Sequence, residues 1–116
     1  ALGANAVRLY HSMGTGSEQD HGGFLDRAQA LQLNVMPGMH SNEPDLCPGF
    51  DCFDAWYNAT SQGFKQGFLQ GGEWHPAVAA VILMNEPDFY ENDPQCVPSG
   101  AWCRVKGVLS ALDGFL

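Results

Sequence analysis

A chain of 116 residues has room for one modest domain, and its 45% hydrophobic fraction suits a globular fold with a core. The formal net charge of −8, with only five Lys and Arg, argues against nucleic acid or anionic membrane as a partner, because too few cations are present to neutralise phosphates. No stretch approaches the roughly 18 apolar residues of a membrane span.

The first expected element is a strand over residues 4–10, with Gly3 in front and Gly14 and Gly16 behind. Residues 22–33 are expected to be helical, with Phe24, Leu25, Ala28 and Leu31 on one apolar face. A second short strand is expected over 34–39, although Pro37 and Gly38 are awkward inside a central strand. A loop rich in Pro, Gly, Cys and Asp runs from His40 to about Asp51.

A long helix is expected over 53–70. Phe53, Trp56, Tyr57, Thr60, Phe64 and Phe68 form its buried stripe, and Asn58, Gln62, Lys65 and Gln66 lie off it. Gly71-Gly72 then supply a helix stop. The third strand, 78–84, carries no polar alternation and is expected to be buried on both faces. It runs into Asn85-Glu86-Pro87-Asp88. Pro87 has no N–H to continue a ladder and biases Glu86 toward an extended conformation, so the strand stops there. A polar loop, 88–100, leads to a last helix with Trp102, Val105, Val108, Leu109 and Leu112 on one face.

The order β-α-β-α-β-α predicts an α/β fold with parallel strands and right-handed crossovers. Three such units do not close a barrel. They form either a doubly wound sheet or a segment of a (β/α)8 barrel. A Rossmann-like module is disfavoured, because Gly14-Thr15-Gly16 is too short for a Gly-x-Gly-x-x-Gly turn. An apolar strand that ends in Asn-Glu sets an amide and a carboxyl group at the mouth of such a sheet, where chemistry sits in parallel α/β folds. Asn-Glu-Pro-Asp also occurs at 42–45. That copy lies in a loop where turn residues are expected anyway, without the rigid base a catalytic group needs, so it is taken as coincidence.

Cys47, Cys52, Cys96 and Cys103 form two local pairs by sequence and suggest disulfides in an oxidising compartment. Three pairings are possible, of which Cys47–Cys52 with Cys96–Cys103 is the simplest. Asn58-Ala59-Thr60 is a glycosylation sequon, and a glycan on Asn58 would point outward. Together these features favour an extracellular or secretory-pathway protein. The chain begins Ala1-Leu2-Gly3 with no signal-peptide pattern and ends on an apolar run, so it is read as a piece of a longer protein.

The three strand ends together resemble clan A glycoside hydrolases, which are (β/α)8 barrels, at barrel strands two, three and four. In family 5, the cellulase and mannanase family, strand two carries an Arg, here in Val7-Arg8-Leu9. Strand three ends in a His, here His40 after Val35-Met36-Pro37-Gly38-Met39, and strand four ends in Asn-Glu-Pro, here Asn85-Glu86-Pro87. The match spans most of the chain. Gly38 departs from it, since family 5 often has Asp at that place. Val7-Arg8-Leu9-Tyr10 is also similar to β-1,3-glucanase family 17 and glucanosyltransferase family 72, and Asp20-His21 to family 72. Those families usually lack the proline after Asn-Glu. The resemblance implies that residues 1–116 are a partial TIM-barrel catalytic domain, barrel units two to four.

It also implies retaining chemistry on a β-linked polysaccharide or oligosaccharide, with no cofactor or metal. Glu86 is then the acid/base, with a pKa raised so that it is protonated when substrate binds. Asn85 hydrogen-bonds the sugar 2-hydroxyl, and Arg8 fixes the nucleophile's carboxylate. His40 contacts the sugar or the catalytic carboxylates, and His11, at a strand end, lines the cleft. Phe89 and Tyr90 stack on a sugar ring or cover the barrel rim. Trp74, His75 and Pro76 fall at the opposite barrel face, where residues serve stability. The nucleophile, at the end of barrel strand seven, lies in the remainder of the barrel. Alternatives are a β-1,3-glucanosyltransferase-like transglycosylase and a non-catalytic carbohydrate-binding remnant.

Overall fold

A computed structural model of the chain describes residues 3–14, 19–39, 47–85 and 100–116. The elements are β1 (Ala6–Met13), α1 (Gly22–Ala30), β2 (Asn34–Met39), α2 (Phe53–Gly63), β3 (Leu69–Gln70), β4 (Glu73–Trp74) and α3 (Gly100–Phe115). The molecule is mixed α/β. Its main sheet is a parallel pair, β1 beside β2, in which Val7 faces Val35, Arg8 faces Met36 and Leu9 faces Pro37. The period of two sorts these residues. Val35 is buried, with Val7 and Leu9 packed on the core beneath the helices. Arg8 and Tyr10 leave the opposite face and are exposed.

Residues 78–84 run parallel to β2 on its other side without forming a continuous strand. Val35 N donates to Ala77 O at 2.7 Å and Ala79 N to Val35 O at 3.0 Å. Further on, Ile82 N donates to Pro37 O and Met39 N to Ile82 O, each at 2.9 Å. Pro37 is the interruption: it has no N–H to donate between those two sets of bonds, and the segment steps past it with one extra residue. The expected burial of this segment on both faces is corrected, since Ala79 and Ala80 are exposed. Among the described residues only β2 pairs with it.

β2 has the expected bounds, whereas β1 runs three residues further than expected. α1 stops at Ala30 instead of residue 33, because Gln32 turns left-handed (φ 54) and Leu33 N bonds back to Ala28 O at 2.9 Å. Leu25 and Ala28 are its buried residues, while Phe24 and Leu31 are exposed.

α2 buries Trp56, Thr60 and Gly63 and leaves Phe53 and Tyr57 exposed, stacked with their ring centroids 6.1 Å apart. Asn58 is exposed, on the outer side of the helix as expected. From Phe64 to Phe68 the helix widens into a π turn, and it ends at Gly67 (φ 91). The wider turn brings Gln66 inward against expectation, to 2% exposure. Its Oε1 accepts from Gly14 N at 3.0 Å, and its carbonyl accepts from His21 N at 2.8 Å. Gly71 and Gly72, both at positive φ, do not stop the helix but turn the short β3–β4 hairpin.

α3 packs on α2 and on the loop before it through small residues. Gly107, Ala111 and Gly114 are buried, and a Cβ on Gly114 would overlap the Phe53 carbonyl oxygen. The large apolar residues of α3 are mostly left uncovered: Trp102 is 74% and Leu109 59% exposed, with Val105 and Leu112 exposed beside them. Val108 alone of that set is partly buried.

Cys47 and Cys52 are disulfide-bonded, and α3 clamps their loop. Cys52 N donates to Ser110 Oγ, and Lys106 Nζ donates to Gly49 O, each at 2.8 Å. Cys103 is disulfide-bonded as well, and Cys96 lies outside the described residues. His75, at the far end of the sheet, is buried: its Nδ1 accepts from Ala77 N at 3.1 Å and its Nε2 lies 3.2 Å from Asp26 Oδ1.

Candidate active site

The C-terminal ends of β1, β2 and the segment 78–84 lie side by side and frame a shallow depression. Arg8, Tyr10, His11, Gly38, Ile82 and Asn85 are among its lining residues. Arg8 reaches across β2: its Nη2 donates to Asn85 Oδ1, joining two residues 77 positions apart. A guanidinium only donates, so the Asn85 amide turns its oxygen toward Arg8 and its NH2 away from it. The same guanidinium lies over the Tyr10 ring, 4.2 Å from the centroid, within the range of a cation–π contact.

Two features hold this edge. The first is Trp56, buried in the first turn of α2, whose Nε1 donates to Leu83 O at 2.9 Å. The bond fixes the chain two residues before Asn85. The second is a break in β1: the register with β2 shifts between Leu9 and Met13, and His11 sits at φ 46. A side chain other than glycine is rarely held there, and bulges of this kind re-aim residues at sheet ends. His11 is exposed at the rim as a result, while Ser12 and Met13 turn into the core.

Three of the residues expected in a site, Arg8, His11 and Asn85, therefore share one depression. Glu86, His40 and Tyr90 lie outside the described residues, as does Phe89. Glu86 follows Asn85 directly in the chain, and His40 follows Met39, the last residue of β2. Tyr10 was not singled out by sequence, although its position two residues after Arg8 on an extended strand puts both on one face. Trp56 was expected only as core, since no local pattern announces a bond to a carbonyl 27 residues away. Among the described residues no group of three or more His, Cys, Asp or Glu is placed to hold a metal ion. Comparison with protein-family models, curated proteins and solved structures finds no match to this chain.

Proposed function

We propose that the chain comprises three consecutive units of a (β/α)8 barrel from a secreted, retaining glycoside hydrolase acting on a β-linked polysaccharide. The observation that carries this reading is the Arg8–Asn85 hydrogen bond across the C-terminal edge of parallel strands. It joins two of the three strand-end positions on which the resemblance rests, at the edge where such folds do chemistry. The Cys47–Cys52 disulfide is compatible with an extracellular location.

In this reading Glu86 protonates the leaving oxygen and later activates water. Asn85 presents its amide NH2 to the sugar 2-hydroxyl, a contact that strengthens in the transition state. Arg8 holds the Asn85 amide in that orientation. The second carboxylate, roughly 5–5.5 Å from the first in retaining enzymes, comes from a later barrel strand. The 116-residue chain by itself is therefore expected to give no steady turnover of an aryl β-glucoside.

The test begins with the transcript beyond the Leu116 codon. The reading requires further βα units and a strand ending in Glu. In the protein so encoded, Glu86→Gln is expected to lower turnover of a β-glucan about 10²- to 10⁴-fold. A reading frame that closes at Leu116, or a Glu86→Gln protein as active as its parent, overturns it.

A further inference from the structure

Asn58 and Thr60 belong to one sequon but to different sides of α2. Residues two apart on a helix are turned about 200° from each other and share no face. Asn58 is exposed, whereas Thr60 is only 5% exposed. The exposure of Asn58 does not depend on further barrel units. Helices form the outer ring of a (β/α)8 barrel, and α1 and α3, the neighbours of α2 in that ring, are both in this chain. Thr60 is buried without using its hydroxyl: Oγ1 has no hydrogen-bond partner among the described residues. A buried unpaired hydroxyl lowers stability where a methyl group would not. Packing therefore accounts for a β-branched side chain at residue 60 but not for its oxygen. The sequon does account for it, since a hydroxyl two residues after Asn is what makes that Asn an acceptor. No other Asn of the chain has Ser or Thr at that distance.

We propose that Asn58 carries an N-linked glycan attached before α2 forms. In this transfer the Asn58 Nδ2 attacks C1 of an oligosaccharide held on a polyprenyl diphosphate in the secretory membrane. The C1–O bond breaks, the C1–Nδ2 bond forms, the amide gives up one proton and the lipid diphosphate leaves. The transferase must reach the Asn amide and the Thr hydroxyl together. The folded helix forbids this, because the hydroxyl lies beneath it, but the nascent chain allows it. α2 has 11 residues, too few for a stable helix on its own. Its packing partner α3 begins at Gly100, roughly 40 residues after Thr60, and synthesis at about 5–20 residues per second leaves ~2–8 s between them. Once α2 has closed, the glycan projects from Asn58 and the hydroxyl is shut inside, so occupancy is decided during synthesis. The inference uses the extracellular expectation and none of the hydrolase chemistry.

Expression of the full reading frame containing this chain, in cells with a secretory pathway, tests the site. Peptide-N-glycosidase in heavy-oxygen water converts a glycosylated Asn to labelled Asp, so peptide mass spectrometry reads residue 58 by itself. Wild type is expected to be labelled there, Thr60→Ser to be labelled at lower occupancy, and Thr60→Val to be unlabelled. An unlabelled Asn58 in secreted wild type overturns the inference and leaves the hydrolase reading to the Glu86→Gln turnover. The 116-residue chain, made without glycan and folded, tests the order of events. Offered purified transferase and lipid-linked oligosaccharide, it should stay unmodified, whereas Trp56→Ala, which removes a buried ring of α2, should accept the glycan. Equal acceptance by the two chains overturns attachment before folding. In the same preparation Thr60→Val should leave the urea midpoint unchanged or raise it. A lowered midpoint would show that the fold uses the hydroxyl, and the case for the sequon would fall.

Discussion

Trp56 couples the core to the edge of the sheet. Its ring is buried under α2, yet its one polar atom reaches Leu83 O at 2.9 Å, just before Asn85. Trp56→Phe keeps an aromatic ring and removes the donor. We expect a loss of about 1–3 kcal/mol in urea unfolding, the cost of leaving a partly buried carbonyl unpaired together with a small loss of packing. An unchanged midpoint would mean that water replaces the indole at Leu83 O. Arg8 and Asn85 were each legible in the sequence as strand-end residues. Their contact was not, because it depends on β2 lying between their two segments.

Among the elements, α3 shows how far hydrophobic periodicity can be trusted. The large apolar residues Trp102, Val105, Leu109 and Leu112 mark a face that avoids water, but periodicity does not say whether a partner covers it. The buried face includes Gly107, beside Cys52 and Phe50 of the disulfide loop, Ala111, and Gly114, against Phe53 of α2, which contribute almost nothing to an apolar pattern. They matter by letting two backbones approach closely. Gly114→Val is therefore expected to cost about 1–3 kcal/mol or more through overpacking. Leu109→Gln, at an exposed site with little change in helix propensity, should cost less than about 0.5 kcal/mol. Unfolding curves for the pair check the assignment, and the reverse ranking would make the large apolar face the packed one. The segment 78–84 teaches a similar lesson, since its local strand pattern is sound and the missing donor belongs to Pro37 on its neighbour.

On the scale of the whole molecule, much apolar surface stays uncovered. The radius of gyration is 15.6 Å, against about 13 Å for a compact domain of this length. The accessible surface is 7472 Å², against about 6,200 Å² for a folded monomer of this mass. Exposed Tyr57, Trp102, Leu109 and Leu116, and the edge of the segment 78–84 that pairs with no described residue, form part of that excess. Unpaired parallel edges and apolar helix faces promote association. Light scattering should show the average mass rising with concentration above that of one chain. A constant single-chain mass across the soluble range would show that these surfaces are tolerated by water.

The sequence alone determined approximately where β1, α1, β2, α2 and α3 lie. The bounds of β2, the starts of α1 and α2 and the βαβ order follow from local period and turn residues, which act over a few positions. The simplest local cysteine pair, Cys47 with Cys52, was legible for the same reason. Only the tertiary structure decided that Gln66 is buried, that Gly71-Gly72 turn a hairpin, that α3 presents its small face to α2 and that Arg8 meets Asn85 over Tyr10. Each of these depends on which distant segment lies opposite, and burial and hydrogen bonding respond to that neighbour rather than to the residues next in sequence.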